Sequence, residues 1–252
     1  VRIRIRELEF EYDGIPALKG ISIDINEEFL AIVGPNGSGK TTLLKCMCKI
    51  LKPKRGVVML NGRDINDLSQ MEIAKRIGYV PQNVSGTFPA KVFEVVLTGR
   101  RPYIGWKFSR KDLEKVSEVL RVLGLEEFAM RDFDTLSGGQ QQKVLIARAL
   151  AQEAKILLLD EPTANLDLKH QLEVMELLKS LTRKGVTVIT AIHDLNLASM
   201  FADRIVMMKD GKIFAIGTPK NVVTSDNVRA VYGVEVRVLE VDSYRVIVPV
   251  KG

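Results

Sequence analysis

Phe29-Leu30-Ala31-Ile32-Val33-Gly34-Pro35-Asn36-Gly37-Ser38-Gly39-Lys40-Thr41-Thr42 is the stretch that decides the fold. Its first five residues form a short, continuous apolar run bounded by glycine, the pattern of a strand buried on both faces. The next residues, from Gly34 to Thr41, match G-x-x-x-x-G-K-[ST], and a helix is expected over about residues 41–50. Strand, glycine-rich loop and helix in that order is the setting in which such a loop holds phosphate. Glycines let the backbone wrap closely, so that N–H groups and the helix N-terminus face an anion. Lys40 is placed to reach β- and γ-phosphates, and the Thr41 hydroxyl to ligate Mg²⁺.

A second buried run, Ile156-Leu157-Leu158-Leu159, ends in Asp160-Glu161. Asp160 emerges at the C-terminal end of this strand, where open α/β sheets bind ligands. Mg²⁺ takes a carboxylate together with waters and phosphate oxygens, which suits Asp160. Glu161, the next carboxylate, is the candidate to polarise an attacking water. A guanine-reading Asn-Lys-x-Asp is absent from the sequence.

Residues 170–181 read as a helix and 186–192 as a third buried strand, and this alternation marks an α/β core with a mostly parallel sheet. Residues 5–33 read as strands, with a turn at Asp13-Gly14, and a further hairpin is expected around 57–60 and Asn61-Gly62. From about 85 to 152 the pattern is helical. Ser109 with Asp112 three residues on is an N-cap signal, Val116, Val119, Leu120 and Leu123 supply an apolar face, and Gly124 a stop. Residues 234–250 alternate around Asp242-Ser243 as a terminal hairpin. The expectation is one domain over 1–252: a core at 1–84 and 153–233 that includes an antiparallel β part, a helical subdomain at 85–152, and a terminal β hairpin at 234–252.

The 252 residues are 46% hydrophobic and 27% charged, with 19 Gly and 9 Pro, which suits a folded chain with a substantial core rather than disorder. No apolar run approaches the roughly 18 residues needed to cross a bilayer. The opening Val1-Arg2-Ile3-Arg4-Ile5-Arg6 alternates like a strand and lacks the apolar block of a signal peptide. The net charge of +6 could point to nucleic acid. The basic residues are dispersed, however: Arg2, Arg4 and Arg6 share one solvated strand face, and Lys45, Lys49, Lys52, Lys54 and Arg55 are read as the end of a helix, where cations complement the dipole. Cys46 and Cys48 lie two apart, neither a redox nor a metal spacing, and read as buried, reduced thiols.

Leu136-Ser137-Gly138-Gly139-Gln140 precedes a helix over 141–152. Ser137 and Gln140 make a capping box by themselves. Two consecutive glycines go beyond capping: Gly138 and Gly139 strip side chains from a helix N-terminus and leave a surface for a second anion. One chain does not easily aim two such helix ends at one triphosphate. Two copies facing head to tail, each helix closing the other's site, is the economical arrangement.

With these motifs in order the chain resembles, over nearly its whole length, the nucleotide-binding subunit of an ATP-binding cassette (ABC) transporter, and specifically the iron–siderophore, haem and cobalamin importer group. The resemblance implies the ABC ATPase fold, Mg-dependent ATP hydrolysis and further roles. Tyr12, ending the opening strand, resembles the aromatic that stacks on adenine. Gln82, in Val80-Pro81-Gln82, resembles the glutamine that touches Mg²⁺ and the attacking water. Asp167, in Asn165-Leu166-Asp167, is similar to the D-loop aspartate that crosses to the partner, although Asn165 departs from the usual Ser-Ala before Leu-Asp. His193 resembles the switch histidine that senses γ-phosphate and orients water with Glu161. His170 is given no chemistry.

The mechanism implied is closure of two copies over two ATP·Mg²⁺, with Ser137, Gly138, Gly139 and Gln140 acting in trans, then hydrolysis and reopening. The resemblance also implies transmembrane permease subunits, reached through a groove lined by the stretch from Phe88 to Tyr103, a substrate-binding protein indirectly, and a peripheral place on the cytoplasmic face of a membrane. The importer group rests on Phe93-Glu94-Val95-Val96-Leu97-Thr98-Gly99-Arg100-Arg101-Pro102-Tyr103, His193-Asp194-Leu195-Asn196-Leu197-Ala198, and the tail from Gly217 to Val234. Zinc/manganese importers share parts of this wording. A non-transport ATPase of iron–sulfur cluster assembly is the alternative from another class, and the kept LSGGQ counts against it. Nucleic-acid or ribosome ATPases of this kind carry two cassettes or a long coiled coil, which 252 residues do not hold.

Overall fold

In the computed structural model, residues 2–82, 90–104, 107–242 and 244–250 are described. The expected start of the helical segment at 85, Phe88 of the expected groove, and Ser243 of the terminal turn lie outside them.

The chain opens with a hairpin of β1 (Ile3–Tyr12) and β2 (Ile15–Ile25). Asp13 and Gly14 between them both have positive φ, 47° and 84°, as a tight two-residue loop requires. The buried run is β3 (Phe29–Val33), and the helix after the loop is α1 (Lys40–Met47). Then come β4 (Arg55–Leu60), the short β5 (Arg63–Asp64), α2 (Gln70–Ala74) and β6 (Ile77–Val80). A helical stretch follows: α3 (Val92–Leu97), α4 (Arg110–Val122) and α5 (Gly138–Ala151). The second half alternates as β7 (Ile156–Asp160), α6 (Leu168–Arg183), β8 (Thr187–Ala191), α7 (Leu195–Phe201) and β9 (Arg204–Lys209). It closes with β10 (Lys212–Gly217), α8 (Pro219–Val222), α9 (Ser225–Tyr232) and a hairpin of β11 (Val236–Val241) and β12 (Tyr244–Pro249).

Two sheets carry the fold. One is four-stranded and antiparallel, in the order β2-β1-β4-β5, and the other six-stranded, in the order β10-β9-β3-β8-β7-β6. In the second, β9, β3, β8, β7 and β6 run parallel, and only the edge strand β10 is antiparallel. Alternate residues of each central strand point to opposite faces. Leu30 and Ile32 join a core with α1 and the antiparallel sheet, while Phe29, Ala31 and Val33 join a second core with α5, α6 and α7. The sheet is therefore covered on both sides, which is why its strands read as unbroken apolar runs. A third cluster forms between α3, α4 and α5. Val144, Ala147 and Ala151 of α5 face it, and Leu145, Ile146 and Ala149 face the sheet, so one helix belongs to both cores.

Several local expectations need correction. The helix after the phosphate loop stops at Met47 rather than continuing to 50, because Lys49 takes a positive φ of 56°. The basic residues beyond it do not cap that helix: Lys49 Nζ donates to the carbonyls of Asn66 and Leu68, and Lys54 pairs with Glu11 on β1 at 2.7 Å. Arg55 begins β4. Arg2, Arg4 and Arg6 do share a solvent-facing side, yet all three converge on Asp24, at 3.5, 3.0 and 2.9 Å. Cys46 and Cys48 are buried as expected, and burial pushes both thiols up to about 12.

The capping signal at Ser109 is realised in full. Its hydroxyl accepts from the Asp112 N–H, and Asp112 accepts from the Ser109 N–H. The other Asp112 oxygen takes the Nε of buried Arg100 at 2.9 Å, and Arg100 also donates to the Ala151 carbonyl and to Glu153. This network ties the segment after α3 to both α4 and the end of α5. The Ser109 hydrogen bonds first, and Arg100 after them, hold the Asp112 carboxyl down at about 2, against an ordinary 3.8. A depressed carboxyl contributes stability above its unfolded value that is lost as pH falls through the folded one. Acidification from about pH 4 to pH 2 should therefore remove on the order of 1–2 kcal/mol through this group. Urea titrations across that range should show the loss, and Asp112→Asn should flatten it; an unchanged slope in the variant would contradict the assignment.

Candidate active site

Parallel pairing fixes which residues meet. Ile32 of β3 and Asp160 of β7 both pair with Ala191 of β8, and Val80 of β6 pairs with Leu159 of β7. The C-terminal ends of β3, β8, β7 and β6 thus lie level. Gly34 and Glu161 follow those ends directly, His193 and Gln82 one residue later, and all four emerge along one edge of the sheet.

The loop itself is built by sterics. Gly34 has φ 150°, and a Cβ there would stand 2.3 Å from the Met208 carbonyl oxygen of β9. Only glycine lets the loop lie this close to the sheet. Gly39, at φ 102°, is the N-cap of α1, and no side chain occupies the cap. The first turn carries no acid either. By contrast, α2, α4, α5, α6, α7 and α9 all have their first N–H groups met by a capping side chain. The N–H groups of α1 are left for a ligand, as an anion site requires.

Lys40 is buried, and its Nζ donates to the carbonyls of Gly34 and Pro35 at 2.8 and 3.0 Å. Burial lowers its pKa, opposed by the charges of Glu161 and Asp160. The Thr41 hydroxyl donates to Asp160 at 2.8 Å, and the Tyr79 hydroxyl to the other Asp160 oxygen at 3.4 Å. Burial raises the Asp160 pKa, and the neighbouring Glu161 charge adds to this against the Thr41 hydrogen bond. A buried ammonium and a buried carboxylate are each held against their desolvation cost. A phosphate beside the first and a cation beside the second would relieve both. The Ser38 hydroxyl, buried in the loop without a hydrogen-bond partner, is a further polar atom that a phosphate oxygen would satisfy. The donor set therefore fits a nucleotide with Mg²⁺. Among the described residues no group of three or more His, Cys, Asp and Glu is placed to hold a metal ion.

Glu161 is the most constrained group. Its φ is +51°, a left-handed backbone that costs a non-glycine residue about 1–3 kcal/mol, and its N–H donates to the Ala191 carbonyl. This turn brings its carboxylate between two side chains: His193 Nε2 meets Oε1, and Gln82 Nε2 donates to Oε2 at 2.5 Å. The catalytic candidates Glu161, His193 and Gln82 are thus in contact. Tyr12 is 46% exposed at the end of β1, stands edge-on to Phe10 at 4.8 Å, and reaches the Thr42 hydroxyl at 3.4 Å. It lines a cavity of about 250 Å³ together with Asn36, Gly37, Gly39, Lys40, Thr41 and Glu161. A larger groove of about 780 Å³, between the β1–β2 hairpin and β10, lies away from this edge. Its Glu11 and Glu7 are already engaged by Lys54 and Ser22.

Ser137, Gly138, Gly139 and Gln140 are absent from the phosphate-loop cavity. Ser137 caps α5 in the expected box with Gln140, and Gly138 instead lines a separate cavity with Gln82, Ala164, Asn165 and Leu166. Gly138 is exposed, but Gly139 is buried, contrary to the expectation that both glycines bare the helix end. The space beside Gly139 is filled by His170, in the first turn of α6, which was given no role in the sequence. Asp167 caps α6 through the His170 N–H, and this starts the helix at Leu168 rather than 170.

The chain matches the ABC transporter family over residues 18–164. It is 46% identical over 245 residues to an uncharacterised ABC transporter ATP-binding protein of Methanocaldococcus jannaschii, covering 96% of each chain. It is 37% identical to the ferric enterobactin transport ATP-binding protein FepC of Escherichia coli, covering 95% of this chain and 90% of that one. Among solved structures it is similar to an ABC transporter assigned to the metal-chelate type, in an inward-facing conformation (TM-score 0.87, 31% identity, 99% and 97% covered). It is also similar to the dimeric bacterial cassette MJ0796 (TM-score 0.75, 36% identity, 86% and 98% covered). The chain belongs to the ABC transporter family and is one of its nucleotide-binding ATPase cassettes.

Gly34→Ala is expected to destabilise the chain by about 2–4 kcal/mol, since neither the Met208 backbone nor the loop can yield cheaply. Urea denaturation measures this, and a loss below about 1 kcal/mol would mean that the loop does not lie as described.

Proposed function

We propose that this chain is the ATP-hydrolysing subunit of an importer for an iron complex (siderophore or haem) or cobalamin, acting as a head-to-tail pair beneath separate membrane subunits. The observation that carries the ATPase half is the Glu161 carboxylate, held at both oxygens by His193 and Gln82 beside the uncapped N-terminus of α1. The importer half is supported by FepC and by the metal-chelate type transporter. The dimer half is supported by the dimeric cassette MJ0796 and by the absence of Ser137–Gln140 from the lining of the chain's own phosphate-loop cavity.

The backbone of Gly34, Pro35, Asn36, Gly37, Ser38 and Gly39, with Thr42 behind it, wraps the phosphates, and Lys40 compensates their charge. Tyr12 presents its ring to the base. Thr41, Asp160 and Gln82 would hold Mg²⁺, which supplies further neutralisation of phosphate charge when bound. Glu161 accepts a proton from the attacking water, and His193 keeps that carboxylate aimed. Ser137, Gly138, Gly139 and Gln140 close the partner's site, and Asp167 lies on the same crossing surface. In this reading the helical stretch 85–152 is a subdomain inserted in a core of 1–84 and 153–233, and 234–252 is an appended hairpin. In this reading the surface of α3 and residues 98–103 faces the membrane subunits, and the chain is a peripheral subunit on the cytoplasmic side. Among the described residues no helix is long and apolar enough to cross a membrane. The binding protein acts at one remove, and nucleic acid has no part.

Lys40→Ala should reduce MgATP hydrolysis by about 10²–10³-fold. Glu161→Gln should reduce it by about 10²–10⁴-fold while leaving nucleotide binding intact. Full turnover in either variant would refute the site. Deleting the gene should abolish uptake of labelled ferric siderophore, haem or cobalamin; normal uptake of all three with loss of zinc or manganese uptake would favour the metal-ion alternative.

A further inference from the structure

His170 and Gly139 occupy one volume between two helices that the sequence separates by some thirty residues. A Cβ at Gly139 would stand 2.6 Å from His170 Cδ2, 2.7 Å from Cγ and 3.0 Å from Cβ. The last of these distances matters most. A ring can swing away, but Cβ moves only with the backbone of α6. The glycine therefore lets α6 press directly on the first turn of α5.

The ring is not free to swing. Its Nδ1 lies 2.7 Å from Asp167 Oδ1, the same oxygen that accepts the His170 N–H at 2.9 Å. The N-cap of α6 thus also orients the side chain that fills the gap. One turn further on, Lys143 of α5 pairs with Glu173 of α6 at 2.5 Å, both half-buried. On the other side Leu166 comes within 3.6 Å of where a Gly138 Cβ would be. The start of α5 and the Leu166–His170 segment are therefore held against each other at successive levels.

We propose that His170 is a positioning residue for the composite ATP site: packed on Gly139 and oriented by Asp167, it sets where the Ser137–Gly139 end of α5 meets the partner's nucleotide. The inference rests on the two-copy reading above, because that is what gives the end of α5 a ligand to meet. On this account the lack of a side chain at the second glycine is required by a contact within the chain as well as by the approach of a ligand. His170 touches no reacting atom. Its influence is on the precision with which two chains close, where an error of about 1 Å is costly.

The test uses the full chain carrying Glu161→Gln, in which ATP is not consumed, as parent. His170→Ala, His170→Asn, Gly139→Ala and the double Gly139→Ala/His170→Ala are added to it. Sedimentation equilibrium at saturating MgATP gives the dimer dissociation constant, ADP titration of the monomer gives its own nucleotide affinity, and thermal melting gives stability. His170→Ala should weaken the dimer about tenfold, leaving ADP affinity within about twofold of the parent. A merely structural role would move melting temperature and ADP affinity along with the dimer. His170→Asn keeps Cβ, Cγ and a donor for Asp167, and should return the dimer to within about threefold of the parent. Gly139→Ala should lower both melting temperature and dimer strength, and the double variant, which removes the two ring contacts but keeps the one to Cβ at 3.0 Å, should recover part of the melting temperature. A dimer as tight in His170→Ala as in the parent overturns the proposal, and so does a double variant no more stable than Gly139→Ala. A parent that stays monomeric refutes the two-copy reading itself; the melting comparison of Gly139→Ala with the double then still decides the packing claim.

Discussion

Level termination of parallel strands is the constraint from which the site follows. Ala191 pairs with Ile32 on one side and with Asp160 on the other, so β3, β8 and β7 end together. A loop, a carboxylate pair and a histidine, from residues 34, 160 and 193, are thereby brought to one edge without any direct contact along the sequence. A parallel sheet needs both faces covered, and here α1 and the antiparallel sheet cover one while α5, α6 and α7 cover the other. Two of the helices that bury the sheet, α1 and α5, also carry candidate site residues in their first turns. Burial and site construction are the same act.

The edge is electrostatically unsatisfied by itself. Lys40 and Asp160 are both buried, with their charged forms disfavoured, and Glu161 adds backbone strain at φ +51°. Stability invested elsewhere, in the two cores flanking the sheet, keeps these groups in place. A nucleotide and a cation would convert that unfavourable arrangement into binding energy. The Ser137–Gln140 start of α5 does not line the phosphate-loop cavity of its own chain. In the two-copy proposal it is instead offered to a partner's site.

Much of this was legible in the sequence because the signals are local. Phe29–Val33 reads as a buried strand from five consecutive apolar residues, Ser109/Asp112 and Ser137/Gln140 read as capping boxes from their spacing, and Asp13-Gly14 reads as a turn from residue types that tolerate positive φ. Most departures are non-local. Asp24 gathers Arg2, Arg4 and Arg6 only because β2 pairs antiparallel with β1. Tyr79 reaches Asp160 because β6 lies beside β7. His170 fills the space beside Gly139 because of how α5 crosses α6, and no spacing rule along one helix announces a crossing. The early stop of α1 has a different character: residues 48–50 contain no Gly or Pro to announce it, and Lys49 nevertheless takes a positive φ.

The central claim is that each ATP site is composed from two chains. Mixing two inactive variants, Lys40→Ala and Ser137→Arg, tests it directly. One lacks a working phosphate loop but keeps its α5 end; the other has the opposite defect. If sites are composite, the mixed dimer regains one intact site, and an equimolar mixture should recover about a quarter of wild-type ATP turnover. If each chain carries its whole site, the mixture stays as inactive as its components, and the account is wrong.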